Sequence, residues 1–312
     1  MCRILAKTKG MPRNMWLELR KSGIGGSDAG AICGVNPYAN ALSVYRDKTE
    51  KDIEDSDNEA MRQGRDFEDY VARRFMEETG LKVRRSNVMY QNEKHPFMIG
   101  DIDRLVVGED AGLECKTVSP YNADKWKDGQ APLHYVLQCL HYMEVTGKKS
   151  WYIAGLIFGS EFVFRKIHYD PVLAEQLIHI ESDFWWNNVQ KRRMPAPDGT
   201  RIYDDILQKY FHSSGKESYI ELIGFDEKLI QREKITARIK ELTSEQRRIE
   251  QEIKLYMQNN EKAASEKFKV SWHNVRSMRL DTKKLKEEKP EIYAMYTKES
   301  STRRFEVRVT SS

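Results

Sequence analysis

The sequence contains only four cysteines, and no two of them form a CxxC pair. They are Cys2, Cys33, Cys115 and Cys139. Structural zinc sites and disulfide frameworks need closely spaced or regularly paired cysteines. We therefore expect reduced thiols, and the pattern argues against both a zinc ribbon and a disulfide-stabilised secreted fold.

Long apolar runs and a strong net charge are also missing. No stretch of about 18 apolar residues occurs, and the N-terminal segment lacks the apolar core of a signal peptide. We therefore expect a cytoplasmic protein without a membrane partner. The 52 lysines and arginines nearly balance the 48 aspartates and glutamates, so any surface for nucleic acid must come from local clusters of basic residues.

Two regions of different character follow each other along the chain. Residues 1–212 mix helical and strand patterns with turn signals, and the character changes after the Pro195–Gly199 segment. In the second region, 213–312, residues 226–260 are mainly helix formers with an apolar seam of about three heptads. The seam positions are Ile235, Ile239, Leu242, Gln246, Ile249, Ile253 and Tyr256.

A small α+β module is predicted after this coiled-coil segment. Strand patterns occupy Lys267–Trp272 and Arg303–Val309, and Leu280–Tyr296 is mainly helical. The coiled-coil segment could serve assembly, fold back on its own chain or bind a partner. The sequence does not decide among these roles.

The first region is predicted to be an α/β domain with a mixed central sheet flanked by helices. The helices are predicted at Met15–Arg20, Asp28–Cys33 with Ser27 as its cap, Asn58–Thr79 and Leu133–Thr146. The strands are predicted at Lys82–Tyr90, Met98–Val107, Gly112–Val118, Trp151–Phe158 and Glu161–Tyr169. A turn bracketed by Gly108 and Gly112 should join the second and third strands as an antiparallel hairpin.

Candidate catalytic residues fall on this hairpin. Alternate residues of a strand share a face, so Glu114 and Lys116 point the same way and can approach Asp103 across the hairpin. Asp103, Glu114 and the backbone carbonyl of Cys115 are oxygen ligands suited to Mg²⁺, with Mn²⁺ able to substitute. Lys116 would stabilise the attacking hydroxide and the charge that develops on phosphorus.

The pattern Asp103…Glu114-x-Lys116 resembles the D…ExK signature of the PD-(D/E)XK nuclease superfamily, a restriction-endonuclease-like fold. Within it, the sequence most resembles the YqaJ-type viral recombinase family, which is lambda exonuclease-like. Two further motifs carry this resemblance: Glu68 in a Gly64-x-x-x-Glu68 setting, and the pair Gln138 and Tyr142 on one helix face. The resemblance assigns these three residues to the active site, with Glu68 binding the metal directly or through water.

The N-terminal segment around Arg20 and Ser27 also resembles this family, in which an arginine and a serine at these places bind the 5′-phosphate of a DNA end. The resemblance implies a metal-dependent exonuclease that digests linear double-stranded DNA from 5′ to 3′ in phage-type homologous recombination. It further implies a ring-shaped homo-oligomer, a single-strand annealing protein as partner and a phage or prophage gene in a bacterial host.

Several alternatives stay open at this stage. Asp101 is a competing first ligand, and Arg104 follows Asp103 where the family often has glycine. The acids and lysine could form a solvated hairpin with a surface salt bridge, and Ser27 could be only a helix cap. The alternative functions are an endonuclease, a single-strand exonuclease, and a non-catalytic DNA-binding or scaffold protein. The second region has no counterpart in lambda exonuclease.

Overall fold

A computed structural model describes residues 2–50, 58–211, 219–299 and 302–308. The chain divides into two compact units, Met1–Phe211 and His212–Ser312, next to the predicted boundary between residues 212 and 213. In the described ranges, no helix is both long enough and apolar enough to cross a membrane.

The first unit contains eight strands and seven α-helices in its described residues. The strands are β1 (Cys2–Lys7), β2 (Val83–Arg85), β3 (Val88–Asn92), β4 (Ile99–Asp101), β5 (Arg104–Val106), β6 (Ala111–Val118), β7 (Ser150–Ile157) and β8 (Phe162–His168). The α-helices are α1 (Arg13–Arg20), α2 (Gly26–Ile32), α3 (Ala41–Thr49), α4 (Glu59–Thr79), α5 (Leu133–Thr146), α6 (Pro171–Asp183) and α7 (Arg201–Tyr210). A 3₁₀ segment and a π-helical segment complete it at Pro120–Gly129 and Phe184–Gln190.

The central sheet has the order β2-β5-β6-β7-β8, with β6 and β7 parallel and the other pairs antiparallel. Leu113 and Tyr152 pack on one face against Val71 and Phe75 of α4. Trp151 and other β7 residues pack on the opposite face against α5. The prediction of an α/β fold with a mixed sheet flanked by helices is therefore confirmed, and so is the antiparallel β5–β6 hairpin.

Two of the predicted strands are wrong in the same way, because each is broken into two strands that belong to different sheets. The prediction Lys82–Tyr90 corresponds to β2 and β3, separated near Asn87, whose φ is 56°. The prediction Met98–Val107 corresponds to β4 and β5, separated at Ile102 and Asp103. A second, three-stranded sheet β1-β3-β4 takes up the other halves. The chain therefore changes sheets at Asp103.

Helix α4 is capped at both ends as predicted, whereas the predicted cap of α2 is wrong. The side chain of Asn58 accepts the backbone N–H of Met61 at the start of α4, and Gly80 ends that helix with φ of +73°. Ser27 is not the cap of α2, because the helix begins at Gly26 and Gly25 is its N-cap. Ser27 is therefore an early helical residue whose hydroxyl bonds elsewhere.

The second unit begins its described structure with one long helix, α8 (Asp226–Met257), as the heptad pattern predicts. The apolar seam residues are exposed, from 38% for Ile253 to 58% for Ile239 and 88% for Tyr256. The remaining elements are β9 (Lys262–Ala264), β10 (Lys269–Ser271), α9 (Thr282–Glu288) and α10 (Pro290–Met295). The predicted strand Arg303–Val309 is wrong over residues 303–308, which form no strand. Val309 lies outside the described residues.

Candidate active site

The β5–β6 hairpin brings Asp103 and Glu114 together where the chain changes sheets. Asp103 immediately precedes β5, and its Oδ2 accepts the backbone N–H of Cys115 at 2.8 Å. Glu114 is only 4% exposed, and strand alternation turns it and Lys116 toward α5, away from Leu113. The structure thus brings together the two acids and the lysine of the predicted motif.

Gln138 and Tyr142 of α5 complete a hydrogen-bond network around Glu114. Gln138 Nε2 donates to Glu114 Oε1 at 2.7 Å and to the Tyr142 hydroxyl at 3.1 Å. Lys116 Nζ donates to the same Glu114 Oε1 at 2.6 Å and to Gln138 Oε1 at 3.0 Å, and lies 4.6 Å from the centre of the Tyr135 ring. Glu114 Oε2 is buried without a hydrogen-bond partner in the described structure. One oxygen of Glu114 is therefore committed and the other is available.

The charges of this cluster shift the pKa values of its members. Burial and the nearby charges of Glu114 and Glu68 raise the pKa of Asp103 well above its ordinary value. Burial also raises the pKa of Glu114, although Lys116 opposes the shift. Burial alone would lower the pKa of Lys116, but the Glu114 carboxylate outweighs it and the pKa is raised. Lys116 is therefore a permanent positive charge, and the two acids lack a full complement of countercharge.

The donor set fits a small divalent cation that keeps some of its water. Asp103 and Glu114 offer buried carboxylates, and the N–H of Cys115 points to Asp103, so its carbonyl lies on the same side of the strand. In the described ranges, no group of three or more His, Cys, Asp or Glu side chains is arranged to hold a metal ion. Mg²⁺ is commonly held by one or two carboxylates together with waters and substrate phosphates. Two carboxylates and one carbonyl meet that requirement.

Glu68 lines the same cleft but is bound to an arginine. Arg104 Nη1 forms a short ion pair with Glu68 Oε1, and Arg104 Nη2 donates to Asp69 Oδ1 at 2.5 Å. Arg104 is only 4% exposed. Glu68 is therefore beside the acid cluster, as the motif predicts, with its Oε1 oxygen already paired with Arg104.

Asp101 is turned away from the acid cluster, although it lies only two residues before Asp103. Its Oδ2 accepts the indole N–H of Trp16 at 2.6 Å. The competing ligand Asp101 belongs to β4, which ends at this residue, whereas Asp103 follows the change of sheet. Asp103 is the residue that contacts the β6 backbone beside Glu114.

Arg20 and Ser27 are in contact at the other end of the cleft. Arg20 Nη2 donates to the Ser27 hydroxyl at 3.2 Å and to Asp28 Oδ1 at 3.3 Å, and its guanidinium lies 5.0 Å from the centre of the Trp16 ring. The buried Lys48 amine pairs with Asp28 Oδ2 at 2.7 Å and donates to the Arg20 carbonyl at 3.0 Å. Burial opposes ionisation of Asp28, but Lys48 and Arg20 outweigh it and lower its pKa to about 2.

A close contact joins this end of the cleft to the Glu114 network. A Cβ added to Gly26 would lie 2.5 Å from Cε1 of the Tyr142 ring. Only glycine therefore fits at this position without displacing Tyr142, which bonds to Gln138.

One cleft of about 800 Å³ is lined by the two acids Asp103 and Glu114, by Gln138 and Tyr142, and by Glu68, Arg20 and Ser27. Its wall carries a local cluster of basic residues, as the balanced net charge requires of a nucleic-acid surface. They are Arg13, Arg20, Lys21, Lys48, Arg65, Arg85 and Arg104. The cleft therefore combines a buried acid cluster with a basic lining, which suits a phosphodiester substrate.

The fold and site define an α/β domain with a buried acid–lysine centre on a central hairpin. Residues 15–149 match the model of the YqaJ-like viral recombinase domain. The chain is 36% identical to the YqaJ protein of Bacillus subtilis (strain 168) over 312 residues, which is 99% of this chain and 98% of that protein. It belongs to the YqaJ-like viral recombinase family, which confirms the family predicted from the motifs.

Two solved structures also resemble the chain. One is LHK-Exo, an alkaline exonuclease of Laribacter hongkongensis solved in complex with dAMP, with a TM-score of 0.48, 16% identity and coverage of 64% of this chain and 98% of that one. The other is a phage-related exonuclease of Haemophilus somnus 129PT, with a TM-score of 0.42, 13% identity and coverage of 57% and 99%.

Sequence reasoning missed four side chains of the cleft: Trp16, Asp28, Lys48 and Arg104 as a partner of Glu68. Asp28 directly follows Ser27 in the motif, and an acid next to a predicted anion-binding serine is a signal that could have been used. Lys48 and Arg104 gave no local signal, because their partners lie 20 and 36 residues away.

Proposed function

We propose that this protein is a Mg²⁺-dependent exonuclease that hydrolyses linear double-stranded DNA from 5′ to 3′ in phage-type recombination. The observation that carries the proposal is that the two carboxylate oxygens of Glu114 have different surroundings. Its Oε1 is held by Lys116 and Gln138, while its buried Oε2 has no protein partner among the described residues. A buried carboxylate oxygen without a partner is costly unless a cation uses it.

Asp103, Glu114 and the Cys115 carbonyl would hold the cation, and Glu68 would act beside them. When bound, Mg²⁺ supplies Lewis-acid stabilisation of the phosphate charge. Lys116 remains protonated and places its positive charge where negative charge develops in the transition state. Gln138 fixes the orientation of both Glu114 and Lys116, and Tyr142 fixes Gln138 through its hydroxyl.

Arg20 and Ser27 are proposed to bind the 5′-phosphate of the DNA end. The Arg20 side chain is 28% exposed and lines the cleft, and a guanidinium binds phosphate oxygens with directed hydrogen bonds. Asp28 and Lys48 support this role, because Lys48 holds both Asp28 and the main chain of Arg20.

The family resemblance also supports a ring-shaped homo-oligomer around DNA, a single-strand annealing protein as partner, Mn²⁺ as a substitute cation, and action in the cytoplasm of a phage-carrying bacterium. These remain proposals. Light scattering of the full chain and of a chain shortened at about residue 215 would show whether the second unit takes part in assembly.

The proposed function is tested with four DNA substrates: a linear duplex with 5′-phosphates, the same duplex with 5′-hydroxyls, a single strand and a closed circle. With Mg²⁺ we expect digestion of the phosphorylated duplex and an intact circle, and no cleavage in EDTA. Arg20→Ala should remove the preference for the phosphorylated end. Cleavage of the circle would support an endonuclease instead, and no cleavage of any substrate would support a non-catalytic DNA-binding protein.

The rate should depend on pH and on Mg²⁺ together. The raised pKa values of Asp103 and Glu114 mean that protons compete with the cation for these oxygens. We therefore expect the rate to fall on the acid side. A tenfold increase in Mg²⁺ should move that fall to lower pH, by about one unit if one proton is displaced and by about half a unit if two are. Initial rates measured across a pH series at two Mg²⁺ concentrations check this. A fall in rate at the same pH for both concentrations would contradict it.

A further inference from the structure

Arg104 is a buried cation with three hydrogen-bond partners beside the acid cluster. Its Nη1 forms the short ion pair with Glu68 and also donates to the backbone carbonyl of Asp103 at 2.8 Å. Its Nη2 donates to Asp69 at 2.5 Å. A guanidinium that is 4% exposed needs such partners, because burying an unpaired charge is costly.

The direction of this side chain follows from the sheet. Arg104 lies opposite Leu113 in the β5–β6 pairing, and residues paired in this way share a face. Leu113 packs against α4, so Arg104 also faces α4, which carries Glu68 and Asp69. Glu114 and Lys116 face α5 on the other side. Glu68 is thus held from the α4 side while Glu114 is held from the α5 side.

The charges around Asp103 can be balanced residue by residue. Three carboxylates, those of Asp103, Glu114 and Glu68, lie beside two cationic side chains, Lys116 and Arg104. Asp69 is left out of this count because Arg85 also pairs with it, at 2.5 Å, and the Asp69 and Arg85 charges cancel. One negative charge remains in excess, which suits one divalent cation far better than two.

We propose that Arg104 is a positioning residue that neutralises the Glu68 carboxylate through its Oε1 oxygen and so limits the centre to a single divalent cation, held by Asp103 and Glu114. Glu68 then acts on the cation through water rather than as a direct ligand. The inference rests on the proposed metal-dependent function and specifies how its site is built. Without Arg104, Glu68 and Asp103 would be free to share a second cation, as carboxylates do in two-metal nucleases.

Counting bound cations tests this without relying on cleavage. Mn²⁺ binding to the full chain is measured by isothermal titration calorimetry, with free Mn²⁺ followed by electron paramagnetic resonance. We expect one Mn²⁺ per chain for the wild type and two for Arg104→Gln. The double variant Arg104→Gln/Glu68→Gln should return to one, because the second ion needs Glu68. Arg85→Gln is the matched control, since Arg85 contacts Asp69 but not Glu68 in the described structure, and should bind one.

Glu68→Gln in the wild-type background provides a second test that leaves Arg104 in place. We expect it to retain one Mn²⁺, whereas Asp103→Asn, which removes a direct ligand, should weaken Mn²⁺ binding by about tenfold or more. Two ions in the wild type, one ion in a folded Arg104→Gln, or loss of Mn²⁺ from Glu68→Gln would each overturn the inference. A wild-type chain that binds no Mn²⁺ would instead contradict the metal-dependent function itself.

Discussion

Replacing Lys116 by methionine should reduce DNA cleavage by about a thousandfold while leaving DNA binding nearly unchanged. Lys116 is the only cation bonded to Glu114 within the described structure, and its charge stays in place because its pKa is raised. Losing a preorganised charge at a reaction centre typically costs about 10²–10³ in rate. The initial rate of duplex digestion in Mg²⁺ measures the loss of cleavage. A gel-shift titration in Ca²⁺ measures DNA binding separately.

Lys127→Met is the control for this variant, because it removes one lysine with the same change of net charge. Lys127 lies on the 3₁₀ segment, its side chain is 64% exposed, and its ion pair in the described contacts is with Asp124, three residues earlier. It should cleave DNA at the wild-type rate. A Lys116→Met protein that still digests DNA efficiently would remove the basis for the proposed centre.

Asp103→Asn should abolish cleavage and, at the same time, make the metal-free protein more stable. The buried Asp103 carboxylate lies beside Glu114 and Glu68, and its raised pKa means that its ionised form destabilises the folded state. Asparagine removes that charge and its side-chain oxygen can still accept the Cys115 N–H. We expect a higher melting temperature in EDTA, by roughly 2–4 °C for each kcal/mol gained.

The size of this effect depends on pH. The gain should be present at neutral pH, where the carboxyl is charged in the unfolded chain while burial disfavours its charge in the folded one. It should disappear well below the pKa of an unfolded aspartate, because the carboxyl is then neutral in both states. Thermal unfolding in EDTA at neutral and acid pH checks both statements, and a variant that is less stable than wild type at neutral pH would contradict them.

Asp101→Asn is the matched comparison, since it makes the same chemical change two residues earlier. Asparagine can still accept the Trp16 indole N–H, so the contact at this end of the cleft is kept. We expect cleavage within about threefold of wild type and unchanged Mn²⁺ binding. Loss of Mn²⁺ from Asp101→Asn with retention by Asp103→Asn would reverse the assignment of the first acid.

The parts of the site that the sequence predicted well are those determined by local geometry. Glu114 and Lys116 are two residues apart on one strand, and Gln138 and Tyr142 are four apart on one helix. Strand and helix periodicities place such pairs together wherever the element lies in the fold. The hairpin turn was predictable for another local reason. Glycine readily takes a positive φ, and Gly108 has a φ of 83°.

The change of sheet at Asp103 could not be predicted in this way. Residues 98–107 were predicted as one strand; Gly100, Asp101 and Asp103 are poor strand formers, but their spacing does not mark the point where pairing passes from β3 to β6. The partners of a strand are set by other parts of the chain: β4 pairs with β3, whose other edge is held by the N-terminal strand β1. The separate directions of Asp101 and Asp103 are therefore a tertiary effect.

The ion pairs of Lys48 and Arg104 are tertiary effects as well. Each ion pair links a helix to another segment of the chain. In sequence, a lysine or arginine of this kind is expected to lie on the surface. Arg104 was noticed only because the family often has glycine there. Its burial against α4 shows why a bulky cation fits: the Glu68 and Asp69 carboxylates meet it from the helix.

The missing side chain of Gly26 has a consequence for the size of the product. The Tyr142 ring fills the place that a Cβ would take, so the helix that carries Ser27 packs directly against the ring that bonds to the Glu114 network. In a nuclease that holds a DNA terminus at Arg20, this contact sets a fixed distance from the terminus to the bond that is cut. Such an enzyme acts as a molecular ruler, and each turnover would release a fragment of constant length.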